Sequence, residues 1–334
     1  LSTPESKKAI VLYLAQLLGI VFSFATQKLN TNYLSGPQEY GVVTAALAIF
    51  TFIYMFFEFG IFTSGARLLT QCKTENDTRK MYGTLLVFVF FISVFFSVMM
   101  SICSAFMPFI YSSEQLRQVM ALAGLLAWVY PLQFFIQETA SGSGKIYELS
   151  IYTVVSKFLY TASLGLAIML GNVNSMLSLL LNLGAMGLSG LWVLYLHKPI
   201  FEGWKLNIPA LKKEVREYGW HIYIARAISS PAFNLASVLI PYFNPMASSA
   251  YFAVGSSLYA PMSMASQSIS STLYKNFSTQ NNLKKRLIII NAGILVLMGI
   301  AIYFGAPILI HLVANERYIP VLPLMLPLVL AGFF

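Results

Sequence analysis

The chain has 334 residues, of which 57% are apolar and only 10% charged, with a net charge of +9 and a mean hydropathy of +0.71. That composition excludes a soluble globular domain and predicts a membrane-embedded chain. The two cysteines and three scattered histidines also exclude a disulfide framework and a metal site of usual spacing.

A bilayer core about 30 Å thick is crossed by about 20 apolar residues of helix. Runs of that kind are predicted over residues 9–25, 42–57, 82–107, 116–136 and 149–170. Further runs cover 175–196, 219–242, 247–269 and 287–312, and a tenth begins near Pro320 and is still apolar at Phe334. The fold class expected is therefore an all-α polytopic bundle of about ten spans. Lys7 and Lys8 precede the first run, but Gln27, Lys28 and Asn30 follow it where a cleaved signal needs small residues, so the first span is read as retained. A chain that starts at Leu1 and ends within an apolar run is expected to be a piece of a longer protein.

The basic residues between the runs set an expected orientation. With a cytoplasmic N-terminus, sixteen of them fall inside: Lys7 and Lys8, Arg67 to Lys80, Lys145, Lys198 to Arg216, and Lys275 to Arg286. Only Lys28, Arg117 and Arg317 fall outside, while Lys157 and Arg226 lie within spans. Sixteen against three fixes the reading by the positive-inside rule. The charge is thus topogenic and suited to anionic lipid headgroups, and no nucleic-acid partner is expected.

The outer connections are short, such as 171–174 and 243–245, so no globular domain fits there. The one substantial polar stretch divides the chain into a six-helix bundle over 1–198, a cytoplasmic linker over 199–218, and an incomplete second bundle over 219–334. Within the linker, Asn207 is a plausible N-cap with Pro209 in the first turn, and Ile208, Leu211 and Val215 share one helical face. An amphipathic helix on the membrane surface and a plain polar linker both fit.

Depth decides which charges carry function. At 1.5 Å per residue, Lys157 lies roughly 13 Å into the fifth run and Arg226 roughly 10 Å into the seventh. Neither has an acid three or four residues away on its own helix. A charge at that depth costs about 2.5–3.5 kcal/mol on insertion scales, so it faces a wet cavity or a partner. The functional reading is a cationic cavity that holds an anionic group of a substrate; the bland one is interhelical pairing or snorkelling. Lys28 sits at the outer mouth, where it either snorkels or lines a vestibule. Glu58, Glu138 and Arg67 lie nearer span ends and are read as ion-coupling or anchoring groups. Glu58 sits among phenylalanines and needs a donor, but Arg67 lies about 13 Å further along what is expected to be one continuous helix. Glu138 has Lys145 nearby in sequence.

Soluble catalytic machinery is absent. Gly142-Ser143-Gly144-Lys145 lacks the spacing of a phosphate loop, so neither ATP hydrolysis, a cofactor nor an enzyme activity is expected. Prolines and glycines within the runs, among them Pro131, Pro231, Pro261 and Pro307, permit kinks and close helix contacts.

One local pattern carries a family resemblance. Lys28-Leu29-Asn30-Thr31-Asn32-Tyr33-Leu34-Ser35-Gly36-Pro37-Gln38-Glu39-Tyr40-Gly41 resembles the first loop of bacterial polysaccharide flippases, with a basic residue before a Leu-Gly-Pro-x-x-Tyr-Gly-like turn. Ser35 intervenes between Leu34 and Gly36. Glu58-Phe59-Gly60 and Gly65-Ala66-Arg67 resemble the acid-x-Gly and small-residue-plus-Arg steps that follow in that family. This is the polysaccharide transporter branch of the multidrug/oligosaccharidyl-lipid/polysaccharide flippase superfamily. The resemblance implies a two-lobed, alternating-access protein, typically of about twelve to fourteen spans. It implies a multi-pass protein of the bacterial inner membrane that moves undecaprenyl-diphosphate-linked oligosaccharide, an O-antigen or capsule unit, to the periplasmic leaflet. A polysaccharide polymerase would be a neighbour in that process. Lys28 falls at the family's basic position; Arg226 and Lys157 are candidates on depth alone.

Two rivals remain open on the sequence. A multidrug exporter of the same superfamily would favour acidic character in its cavity, whereas the deepest charges here are basic. A polysaccharide polymerase or ligase would need a sizeable polar periplasmic loop with catalytic residues.

Overall fold

The computed structural model describes residues 4–277 and 285–332, and the surroundings of side chains at 10–229, 234–262, 292–293 and 295–332. Lys284 and the side chains of Lys7, Lys8, Pro231, Lys275, Lys285 and Arg286 lie outside the described residues. Among the described residues the chain is all helical. The helices are α1 (Pro4–Tyr33), α2 (Pro37–Tyr54), α3 (Ile61–Gln71), α4 (Glu75–Ser104), α5 (Met107–Tyr111), α6 (Glu114–Gly124) and α7 (Val129–Ser143). They continue as α8 (Ile146–Met169), α9 (Ser175–His197), α10 (Ile208–Glu214), α11 (Trp220–Phe243), α12 (Ala247–Phe277), α13 (Lys285–Val313) and α14 (Met325–Ala331).

Among the described residues, seven helical segments are long and apolar enough to cross a membrane, and eight if the bent pair α6–α7 is one span. Eight of the ten predicted runs correspond to them. The eighth run forms α12, whose serines and tyrosines lower its apolarity, and the tenth forms a 3-10 stretch, Glu316–Leu324, followed by α14. Outward faces carry bulky apolar side chains, Phe90, Phe91, Phe95 and Phe304 among them, as lipid contact requires.

Local chemistry explains the helix ends. Thr74, Ser113 and Asn174 accept the N–H of Asp77, Leu116 and Leu177, capping α4, α6 and α9. Pro37 starts α2, and Pro131 sits in the first turn of α7, where a missing N–H costs nothing. Asn207 precedes α10 as expected, but its side chain donates to Thr84 Oγ1 on α4 at 3.1 Å and does not cap. Leu211 of α10 is buried in the main core, with Val215 packed against it.

Contacts sort the helix ends into two groups. At the Tyr33 end, Lys28 Nζ donates to the His311 carbonyl at 3.2 Å, Asn315 Nδ2 to the Thr31 carbonyl at 2.6 Å, and Ala247 N to Gln38 Oε1 at 3.2 Å. The rings of Tyr111 and Tyr242 also meet there, 6.4 Å apart. At the His197 end, Arg79 donates to the Lys198 carbonyl, His197 and Lys145 pair with Glu148, and Tyr82 bonds Ser143. The core between them is aromatic, built on Phe50, Tyr54, Phe62, Tyr82, Phe96 and Phe135. One buried polar network, Asn30 with Tyr160 and Ser178, ties α1 to α8 and α9.

Candidate functional site

The second span is not the continuous helix expected from sequence. After α2, a 3-10 turn over Met55–Phe57 leads to Phe59 at φ 48° and Gly60 at φ 68°, and α3 starts at Ile61. Both residues lie in the left-handed region, which glycine enters without cost and phenylalanine does not. The break also serves packing: a Cβ on Gly60 would overlap the carbonyl of Gly219. Gly219 ends a one-turn π segment, Val215–Gly219, that joins α10 to α11. Two helix irregularities thus touch backbone to backbone.

Beside that contact lies an ionic cluster. Arg226 Nη1, on α11, donates to Glu58 Oε1 at 2.8 Å and to Glu138 Oε1 at 2.8 Å. It also donates to Thr63 Oγ1 at 3.2 Å, and Thr63 in turn donates to Glu58 Oε1 at 2.9 Å. The donor that Glu58 needs is therefore Arg226, 168 residues away in sequence. Lys145 is not the partner of Glu138; it pairs with Glu148 at 3.5 Å. The Nε and Nη2 groups of Arg226 make no bond to a described residue, so part of a five-donor fork stays open, and the side chain is 39% exposed.

That open fork borders a cavity of about 710 Å³. Its walls come from α1 (Gln16), α3 (Thr63), α7 (Gln133, Gln137, Glu138, Ser141), α8 (Thr153, Ser156, Lys157) and the start of α11 (Tyr218, Arg226). Lys157 lies eleven residues past the start of α8, roughly 16 Å from the His197 end. Its ammonium group makes no hydrogen bond or ion pair to a described residue. With Lys157, Arg226, Glu58 and Glu138 all ionised, the set is neutral. The cavity expected to be cationic thus has one carboxylate, Glu138, in its lining, and a second, Glu58, bonded to the same Arg226 nitrogen. A larger groove of about 850 Å³ between α4, α6, α7 and α9 has no charged lining and faces outward, as lipid-exposed surface.

Two expected residues lie elsewhere. Lys28 caps the last turn of α13 at the Tyr33 end, where a cation suits the exposed carbonyls. Arg67 pairs with Glu214 at 2.8 Å and lies 4.5 Å over the Tyr218 ring, at the His197 end. The structure therefore brings Arg226, Lys157 and Glu138 together in the cavity lining, with the buried Glu58 bonded to Arg226, and leaves Lys28 and Arg67 outside it. Sequence reasoning passed over Thr63, Gln133 and Gln137. The two glutamines were visible as carboxamides four residues apart in an apolar run.

A family model described as polysaccharide biosynthesis protein matches residues 34–323. No curated protein matches the chain. Among solved structures, the MATE multidrug transporter DinF-BH aligns at a TM-score of 0.69 and 13% identity, over 99% of this chain and 81% of that one. An inward-facing multidrug resistance MATE family transporter of the MOP superfamily aligns at 0.63 and 12% identity, over 97% and 82%. At such identities the likeness shows the fold alone.

Proposed function

The chain belongs to the polysaccharide biosynthesis protein family, and on that premise we propose that it flips undecaprenyl-diphosphate-linked oligosaccharide across the bacterial inner membrane by alternating access. The supporting observation is Lys157, whose ammonium lies deep in the bundle with no protein partner among the described residues, in one cavity with the unused N–H groups of Arg226. A diphosphate and its sugars cannot cross hydrocarbon unshielded, and charge-assisted bonds from these two groups suit the phosphate oxygens. The isoprenoid tail stays in the bilayer while the polar head occupies the cavity.

In this reading the His197 end is cytoplasmic, as the basic residues favour, and cargo enters there while contacts at the Tyr33 end stay closed. The bundles over 1–198 and 219–334 move against each other, with 199–218 between them. Glu58 and Glu138 compete with the cargo for Arg226, which makes them the groups through which an ion would couple. Lys28 and Arg67 hold the two ends of the assembly together. A periplasmic polysaccharide polymerase would take the product.

A multidrug exporter is the second reading, because two carboxylates enter the site and both similar structures are described as multidrug transporters. The deciding experiment deletes the gene in its host and follows the lipid-linked oligosaccharide by leaflet-selective labelling. The flippase reading expects complete units to accumulate on the cytoplasmic leaflet, with no rescue by Lys157→Met at normal protein level. Unchanged glycolipid with raised sensitivity to cationic drugs would establish the exporter instead. Units that reach the periplasm but stay unpolymerised would point to a polymerase or ligase.

A further inference from the structure

We infer that Gln133 and Gln137 form the part of the cavity that reads the sugar of the cargo, separately from the cations that take its diphosphate. This rests on the lipid-linked saccharide reading.

Helix α7 divides into two faces. Leu132, Phe135, Ile136, Thr139 and Ala140 are buried, so one face is committed to the core. Gln133, Gln137 and Ser141, at successive spacings of four, share the other face and line the cavity. Most neutral polar groups on these walls are already satisfied. Ser141 donates to the Gln137 carbonyl at 3.2 Å, Thr153 to the Leu149 carbonyl at 2.9 Å, and Ser156 to the Thr153 carbonyl at 3.3 Å. Gln133 and Gln137 are different, since neither carboxamide bonds a described residue. Gln133 is half-buried and Gln137 exposed on the cavity wall, so both carboxamides are open to whatever fills the cavity.

The chemistry of that filling can be read from the groups. Each carboxamide offers two N–H donors and an acceptor oxygen. An ionised phosphate only accepts and the cationic centre of an organic cation offers no acceptor, so either centre alone would leave half of the group unused. Adjacent sugar hydroxyls both donate and accept, and they satisfy a carboxamide on both sides. Two such groups one turn apart span neighbouring hydroxyls of one sugar or of two linked sugars. Being neutral, they hold the glycan without trapping it. The helix that carries them is firmly placed, because Gly142 lies against the backbone of Ala66 on α3 with no room for a Cβ.

The test uses purified full chain in nanodiscs and two probes, undecaprenyl diphosphate and the same lipid carrying a disaccharide. Gln133→Met with Gln137→Met is expected to weaken binding of the glycosylated lipid about tenfold, about 1.4 kcal/mol. It should leave the sugar-free lipid unchanged, whereas Lys157→Met weakens both. Equal loss of both lipids in the glutamine variant, or loss of neither, overturns the inference. If the methionine pair does not fold, Gln133→Ala with Gln137→Ala is read by the same comparison. A wild-type protein that binds neither lipid refutes the lipid-linked saccharide reading itself, and the inference falls with it.

Discussion

Arg226→Met tests the ionic cluster most directly. The substitution keeps length and apolar bulk but removes both 2.8 Å charge-assisted bonds. Glu58, with its side chain only 7% exposed, is then left with Thr63 as its one donor among the described residues. Removing one partner of a buried ion pair costs about 3–5 kcal/mol. The 39% exposure of Arg226 argues for the lower end, about 3 kcal/mol, since screening weakens the pair. Glu138 is 23% exposed and shares the same nitrogen, so its separate share is about 1 kcal/mol. On the scale of soluble chains of this length, a loss of about 3 kcal/mol lowers the melting temperature by about 4 °C. The assay is a double-mutant cycle of Arg226→Met, Glu58→Gln and the pair, read by thermal unfolding in detergent and repeated with Glu138→Gln. The geometry predicts a coupling of about 2 kcal/mol to Glu58 and about half that to Glu138. Additive effects, with coupling below about 0.5 kcal/mol, would show that the cluster does not form and would refute the reasoning.

The glycine contact predicts a sharper outcome. Gly60→Ala meets both a left-handed φ and the Gly219 carbonyl, so a cost of about 3 kcal/mol or more and a collapse of folded yield are expected, whereas Gly184→Ala, which enters open space, should leave yield intact. Arg67→Ala should change stability by less than about 1 kcal/mol, because its side chain is 48% exposed in the pair with Glu214. Once Cys72 and Cys103 are replaced, a short reducible bis-thiol cross-linker between Gln38→Cys and Ala247→Cys should lock the Tyr33 end and stop transport reversibly; transport that continues when cross-linked would refute that end as a moving gate. In the same cysteine-free background, Gln137→Cys should react with a membrane-impermeant thiol reagent added to inside-out vesicles and not to intact cells. The reverse pattern would place the cavity mouth on the other leaflet.

The spans were legible in the sequence because the bilayer makes a local demand: every stretch that crosses it must be apolar over its own length, whatever its neighbours are. Lys157 and Arg226 stood out for the same reason, as charges where the local rule forbids them. What they do was not legible. Arg226 finds its acids 168 and 88 residues away, on α2–α3 and α7, and no periodicity along its own helix points to them. The nearer candidate for Glu138, Lys145, is drawn instead to Glu148, which also pairs with the buried His197. The break at Phe59–Gly60 is set by tertiary contact, since Gly60 must let the backbone at Gly219 approach. Lys157 and the two glutamines carry an argument because their polar ends lack partners among the described residues, and a missing partner is visible only once the neighbouring helices are in place. The sequence alone determined which segments enter the membrane, since that depends on short-range transfer energies. Tertiary structure alone decided which polar groups neutralise one another and which are left facing the cavity, since that depends on distances between helices far apart in the chain.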